Sequence, residues 1–285
     1  YNLGVLFQEK RGTGLTHSFF ASVLDAFKSA GEKRGYDITF INHHIGWTGM
    51  TYLEHCRYRN VDGVCVVCGD FYAPEVIELV DSNLPVVTID HSFNNRSCVL
   101  SDNIGGLKLL VDAAYQKGHR KIAYVHGEKS SVTENRIIGF YRAMQEHGLN
   151  VNPDFVVEAL YDNPATSMQA VLTLMNRPDP PTCILLPDDH STLGAMQAAK
   201  QLNLRVPEDL SLAGYDGIRL TQMLQPRLTT IEQDTKRIGA QAAEFLIDRI
   251  ENPRTAGSET ATIPVKLLEG ESMGICPVKT DAANS

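Results

Sequence analysis

Three apolar, strand-like runs in this 285-residue chain end in a carboxylate. "PVVTI" is followed by Asp90, "CILLP" by Asp188 and Asp189, and "LSLAGY" by Asp216 on a glycine-flanked turn. An acid at the end of a buried strand either caps the following helix or accepts hydrogen bonds from the hydroxyls of a bound molecule. The same ending on three runs of similar build favours a shared polar site made by Asp90, Asp188 and Asp216. Asp189 immediately precedes the helical "STLGAMQAAK" and reads as a cap. Arg136, in "TENRIIGF", falls in the first turns of a helix, where a cation gains nothing from the helix dipole. That placement favours a binding role, with a salt bridge as the alternative. Phe19 and Phe20 open the first long helix, in which Phe20, Val23, Leu24 and Phe27 form one apolar face. Phe20 therefore serves either the core or, if it faces a cleft, as a flat surface for the C–H face of a sugar.

Signals for bond-making chemistry are weak by contrast. "GTGLTH" resembles part of a dinucleotide fingerprint, but His17 holds the third glycine position and the stretch begins several residues past the strand. No phosphate loop, nucleophile elbow or HExxH helix occurs. His43 and His44 have no third ligand at helical spacing, and His119 sits at a helix-to-strand turn remote from the acids. Trp47 is either a loop anchor or a cleft wall. Cys65 and Cys68 form a CxxC inside a strand, where residues three apart point to opposite faces and cannot chelate one ion. The other four cysteines are scattered, so all six read as reduced thiols of a cytoplasmic protein. No catalytic residue, metal or cofactor is expected.

The elements that must position these side chains follow one rhythm. Continuous Val/Ile/Leu runs alternate with helix-length amphipathic stretches, which indicates parallel sheets covered on both faces. The alternation restarts after "SDNIGG", so two doubly wound α/β units follow one another. A last helix, "DTKRIGAQAAEFLIDRIEN", and "ATIPVKLLEG" are too short for a third domain and must be shared between the two. Open parallel sheets bind ligands at the carboxyl ends of their strands, which is where the acids stand, with Gln8, Asn42, His43, Asp70 and His91 at equivalent ends. No run of about 18 apolar residues is present to span a bilayer. The formal charge of -8 argues against this segment gripping nucleic acid by its own surface.

"VPEDLSLAGYDGIRLTQMLQPRLTTIEQD" resembles the signature of the LacI/GalR family of bacterial transcription regulators. "VDGVCVV", "LPVVTIDH", "SDNIGGLKLL", "KGHRKIAYVHG", "ENRIIGFYRAMQEHGL" and "DDHSTLGAMQAAKQLNLRVP" match further family blocks in order, from Tyr1 to about Leu268. The resemblance implies the family's effector-binding core, with the fold of periplasmic sugar-binding proteins, and without the helix-turn-helix headpiece and hinge helix. It implies that Asp216 holds sugar hydroxyls and that Arg136 is a forked donor to ring oxygen and hydroxyls. By the same token Asp90, Asp188, Gln233, Phe19 and Phe20 contact ligand, and His17 and His91 stand at positions that are frequently polar in the family. Many relatives carry Asn where this chain has Asp188. Three carboxylates against one guanidinium favour a neutral polyol or a cationic ligand over a phosphate.

The resemblance further implies three crossings between lobes. Lobe one is expected to hold residues 1–101 and 235–262, and lobe two residues 102–234 and 263–285, with closure on the effector as the switch. A homodimer and operator DNA, reached through the headpiece, are the expected partners, and no membrane is. The alternative is the secreted sugar receptor of a transporter, against which the six cysteines and the closer match to regulator blocks both stand.

Overall fold

The computed structural model describes residues 1–8, 14–45 and 48–277. Trp47 lies outside them. In chain order the elements are β1 (Asn2–Phe7), α1 (Ser18–Lys33), β2 (Asp37–Ile41), β3 (His44–Ile45), β4 (Thr48–Gly49), α2 (Tyr52–Tyr58), β5 (Gly63–Cys68), α3 (Pro74–Asp81), β6 (Val86–Ile89) and β7 (Ser97–Ser101). The second half brings α4 (Asn103–Gln116), β8 (Ile122–His126), α5 (Ser131–Glu146), β9 (Val156–Glu158), α6 (Pro164–Met175), β10 (Cys183–Leu185), α7 (Asp189–Gln201) and β11 (Ser211–Ala213). The chain finishes with β12 (Thr230–Gln233), α8 (Thr235–Glu251), β13 (Thr260–Ile263) and β14 (Val265–Leu268).

These elements form two compact units, Tyr1–Ser101 with Asp234–Pro264 and Asp102–Gln233 with Val265–Ser285. The first carries a six-stranded sheet in the order β13-β7-β6-β5-β1-β2. All of its pairings are parallel. Alternation along each strand divides its core into two layers. Leu3, Val5, Cys65 and Val67 pack with α1 and α8, whereas Leu6, Val64 and Val66 pack with α2 and α3. Burying each such side chain stabilises by about 1.5–3 kcal/mol, so sheet and helices form together. Cys65 and Cys68 thus face opposite sides of β5, and all six cysteines are free thiols.

The second unit carries a four-stranded parallel sheet, β11-β10-β8-β9. Tyr124, Cys183 and Leu185 pack under α4 and α5, and Ala123, Val125 and Ile184 under α6 and α7. β12 pairs antiparallel with β14. Thr229, just before β12, bridges Ala213 at the end of β11, and Glu232 bridges Asp216 beyond it. The continuous apolar stretch near the carboxyl terminus is divided at Pro264, β13 joining the first sheet and β14 the second unit. Side-chain caps start most helices: Asp102 accepts from Gly105, Ser130 from Thr133, Asn163 from Thr166 and Asp234 from Arg237. No helix of the described residues is long and apolar enough to cross a membrane.

Candidate functional site

The polar residues of the second unit converge where β8, β10 and β11 end. β11 leads through Gly214 and Tyr215 to Asp216, whose φ of 109° lies in the left-handed region, followed by Gly217 at 71°. The next residue after this double reversal is held by its own backbone N–H, and the Asp216 carboxylate is left on the inner side, with its side chain 11% exposed. Its Oδ1 accepts from Gln233 Nε2 at 2.7 Å, and Arg136 Nη2 stands 4.0 Å from the same oxygen. Burial pushes the Asp216 pKa well above the usual carboxylate range; Arg136 and Gln233 act against this, while Asp188 and Asp189 add to it.

Arg136, on the inner face of α5, is 4% exposed. Nε donates to Asn103 Oδ1 at 2.7 Å and Nη1 to the Pro187 carbonyl at 2.8 Å. The guanidinium carbon lies 3.5 Å over the centre of the Tyr215 ring and 5.8 Å from that of Tyr161. Burial works against its charge, but the facing Tyr161, Tyr215 and Asp216 outweigh it and hold the group cationic. Both tyrosines need glycine beneath them. A Cβ on Gly106 would come within 2.2 Å of the Tyr215 hydroxyl oxygen, and one on Gly127 within 2.0 Å of the Tyr161 ring. The guanidinium is thus fixed in plane and edge, and its Nη2 side is turned toward Asp216. A separation of 4.0 Å is too long for a direct hydrogen bond. It suits a hydroxyl lying beside the pair that accepts from the guanidinium and donates to the carboxylate.

Gln233, 5% exposed at the end of β12, gives its amide N–H to Asp216, and its Oε1 has no hydrogen-bond partner among the described residues. A buried acceptor left open in this way is costly unless something donates to it.

The two acids that open α7 divide their roles in the opposite way to that expected from the sequence. Asp188 is the cap, with Oδ1 accepting from Ser191 N at 2.7 Å and Oδ2 from Ser191 Oγ and Asp162 N, both at 2.8 Å. Asp189 is the first residue of the helix and is wholly buried. It accepts from Ile218 N, Thr221 Oγ1 and Thr230 Oγ1, and burial pushes its pKa up to about 7. One residue of phase decides this, because the N-cap position alone presents its side chain to the open N–H groups of the first turn.

The candidates in the first unit form a more aromatic group. Asp90 follows β6 with φ 61°, and its Oδ1 accepts from Ser101 N at 3.3 Å. His91 is 7% exposed, stacked on Phe71 at 4.6 Å and 13° and edge-on to Phe93; burial lowers its pKa. His17 precedes α1 without capping it through its side chain, and its ring lies 4.9 Å from that of Phe20. The apolar face of α1 is rotated from the expected one. Phe19, Val23, Phe27 and Gly31 are buried, whereas Phe20 and Leu24 are only partly covered. Phe19 is therefore a core residue, and Phe20, against Phe7 and His17, is the aromatic with an open edge. Gly239 accounts for the rotation: α8 approaches so closely that a Cβ there would meet the Val23 carbonyl at 2.2 Å.

Asn103, the Pro187 carbonyl, Tyr161 and Tyr215 were not singled out from the sequence. They meet Arg136 from separate segments of the second unit, so no spacing marks them. His119 stays apart, bonded to Thr182 Oγ1 and facing the Gly274 carbonyl. Among the described residues no group of three or more His, Cys, Asp or Glu is arranged to hold a metal ion.

Residues 111–273 match the family model of the periplasmic binding protein-like domain. The chain is similar to the ribose operon repressor of Haemophilus influenzae, at 34% identity over 252 residues that cover 85% of this chain and 73% of that one. The HTH-type transcriptional repressor PurR of the same organism is 31% identical over 237 residues, 81% of this chain and 70% of its own length. Among solved structures, a LacI family transcriptional regulator from Enterococcus faecium with bound ribose superimposes with a TM-score of 0.82 at 23% identity, covering 96% of this chain and 99% of that one. The chain belongs to the LacI family of transcriptional regulators: it is the effector-binding domain of a LacI-type repressor, with a periplasmic-binding-protein-like fold, and not an enzyme.

Proposed function

We propose that the effector is a neutral sugar or a closely related polyol, held in the second unit by Arg136, Asp216, Gln233 and Asp188. The observation that carries this reading is the 4.0 Å separation of the buried guanidinium and the buried carboxylate, at which one hydroxyl lying beside the pair is within hydrogen-bond reach of both. Gln233 Oε1 is an acceptor for a second hydroxyl. Asp188 has less to offer than its position suggests, since capping and the Asp162 amide already draw on both oxygens. Asp90, His91, His17 and Phe20 are the first unit's candidates for the same ligand chemistry, Phe20 as the stacking surface.

The surrounding acids disfavour a phosphorylated sugar, because Arg136 already faces Asp216, and Asp216 in turn has Asp188 and Asp189 close to it. The ribose in the name of one relative and in the Enterococcus faecium structure supports an aldose as the first compound to try. Operator recognition through a helix-turn-helix headpiece, homodimerisation and a cytoplasmic location belong to the same reading, supported by the repressor relatives.

A thermal-shift screen of pentoses, hexoses, disaccharides and nucleosides tests it. A ligand at about a hundred times its dissociation constant stabilises by roughly 2.7 kcal/mol. The shift is expected with a neutral sugar and is expected to vanish in Asp216→Ala. An unchanged shift in that variant would move the ligand elsewhere.

A further inference from the structure

We propose that Asp189 is a positioning residue for the effector, clamping the segment after Asp216 onto the strand that ends in Gln233 and so setting the spacing of the sugar-binding array. The inference rests on the sugar-site reading above. Its basis is one wholly buried carboxylate with three donors from three places. Ile218 N, two residues past Asp216, reaches Oδ2 at 2.8 Å, and Thr221 Oγ1, in the short turn beyond, reaches the same oxygen at 3.0 Å. Thr230 Oγ1, three residues before Gln233, reaches Oδ1 at 2.5 Å. Asp189 also follows Asp188 directly. Every acid and amide of the array on the carboxyl side of Arg136 is therefore within three residues of a group that Asp189 holds or of Asp189 itself.

The backbone leaves room for this residue and for little else. Gly214 lies so close that a Cβ there would meet Asp189 Oδ1 at 2.3 Å, so the carboxylate is seated against bare main chain. The segment it restrains reverses at Asp216, a non-glycine residue held at φ 109°, and at Gly217, φ 71°, and beyond the contacts of Asp216 itself with Gln233 and Arg136 it is tied down by Asp189. Such a turn keeps its shape only while its surroundings determine it. An ionised carboxylate, purely an acceptor, suits three donors; a protonated one must aim its own O–H at a group that now donates.

The charged groups facing Asp189 are Asp188 on α7 and Asp216 across the turn, both carboxylates, with Arg136 beyond Asp216. With a pKa pushed up to about 7, chiefly by burial, the clamp changes protonation between pH 6 and 8. Effector binding that favours the ionised clamp tightens as pH rises through this window, and protons are released on binding.

Two readouts test the idea in the whole domain. The first is hydrogen exchange at the Ile218 amide, which needs no ligand. The second is calorimetric titration, from pH 6 to 8, with whichever neutral aldose of the screen binds the wild type best. Asp189→Asn is expected to speed exchange at Ile218 by about tenfold or more, to weaken binding by about tenfold and to flatten the pH profile. Thr230→Val, which removes one donor and keeps the carboxylate, is expected to weaken binding less and to keep the inflection near pH 7. Wild-type exchange, affinity and pH profile in Asp189→Asn, with binding lost in Arg136→Lys, would overturn the clamp and leave the sugar site standing. Binding untouched by Arg136→Lys and Asp216→Asn would overturn the sugar site and the clamp with it.

Discussion

Asp90 and Asp216 end equivalent strands in the two units, and both reach their positions through a left-handed backbone, at φ 61° and 109°. Their surroundings differ. Asp216 is buried against an amide and a fixed guanidinium, with two more carboxylates nearby. Asp90 is half-buried, takes a backbone N–H from Ser101, and is followed by a histidine packed among Phe71, Tyr72 and Phe93. The same strand ending has been developed in one unit into a directional hydrogen-bonding array and in the other into an aromatic wall. Under the proposed sugar-site reading the second unit discriminates the number and direction of hydroxyls, because a buried polar group left unpaired is penalised strongly. Under the same reading the first rewards any flat apolar surface, with less discrimination.

The largest effects break the comparison at its charged end. Arg136→Ala removes the counter-charge of buried Asp216 and is expected to destabilise the domain by about 3–5 kcal/mol, read from denaturant unfolding, with effector binding lost. Phe19→Ala is expected to cost a similar amount, about 3–5 kcal/mol, through the core alone. Preserved effector affinity in that variant, measured well below its unfolding midpoint, would separate the two causes.

Asp189 provides the next test, through pH. Its pKa is raised in the folded state, to about 7, so between the unfolded value and that value the native domain binds more protons than the unfolded chain. The stability it contributes is full below the ordinary carboxylate pKa of about 4 and is lost as pH rises toward 7, by on the order of 4 kcal/mol. Asp189→Asn is expected to remove that slope from unfolding free energies measured between pH 4 and 8. Asp216→Asn comes third: effector affinity is expected to fall by about 1.5–3 kcal/mol, while stability at neutral pH is kept or raised, since a buried carboxylate gives way to an amide of the same shape. Smallest is Phe20→Ala, with about 1 kcal/mol lost from effector binding and little from stability, the reverse of Phe19→Ala.

The architecture was legible in the sequence because parallel strands buried on both faces must be continuous apolar runs, and the family blocks then fixed their order. Asp216, Arg136 and Gln233 are singled out by the sequence, the first from its glycine-flanked turn, the second from an ill-favoured helical position, the third through resemblance, and the fold brings the three side chains together. What was not legible turns on single residues of phase. Phe19 and Phe20 are equally apolar and about 100° apart on the helix; the close approach of α8 at Gly239 decides which is core. Asp188 and Asp189 are the same residue type, and a shift of one position exchanges cap for clamp. The partners of Arg136 stand 33 and 51 residues away at Asn103 and Pro187, beyond the reach of any local pattern.

The most direct test of the account is calorimetric titration of the wild-type domain and of Asp216→Asn with D-ribose, the other neutral aldoses of the screen, and the matching sugar phosphates. The account predicts binding of a neutral sugar that weakens about tenfold or more in Asp216→Asn, with no comparable binding of its phosphate. Tight binding of the phosphorylated sugar, or neutral-sugar binding that Asp216→Asn leaves unchanged, would contradict it.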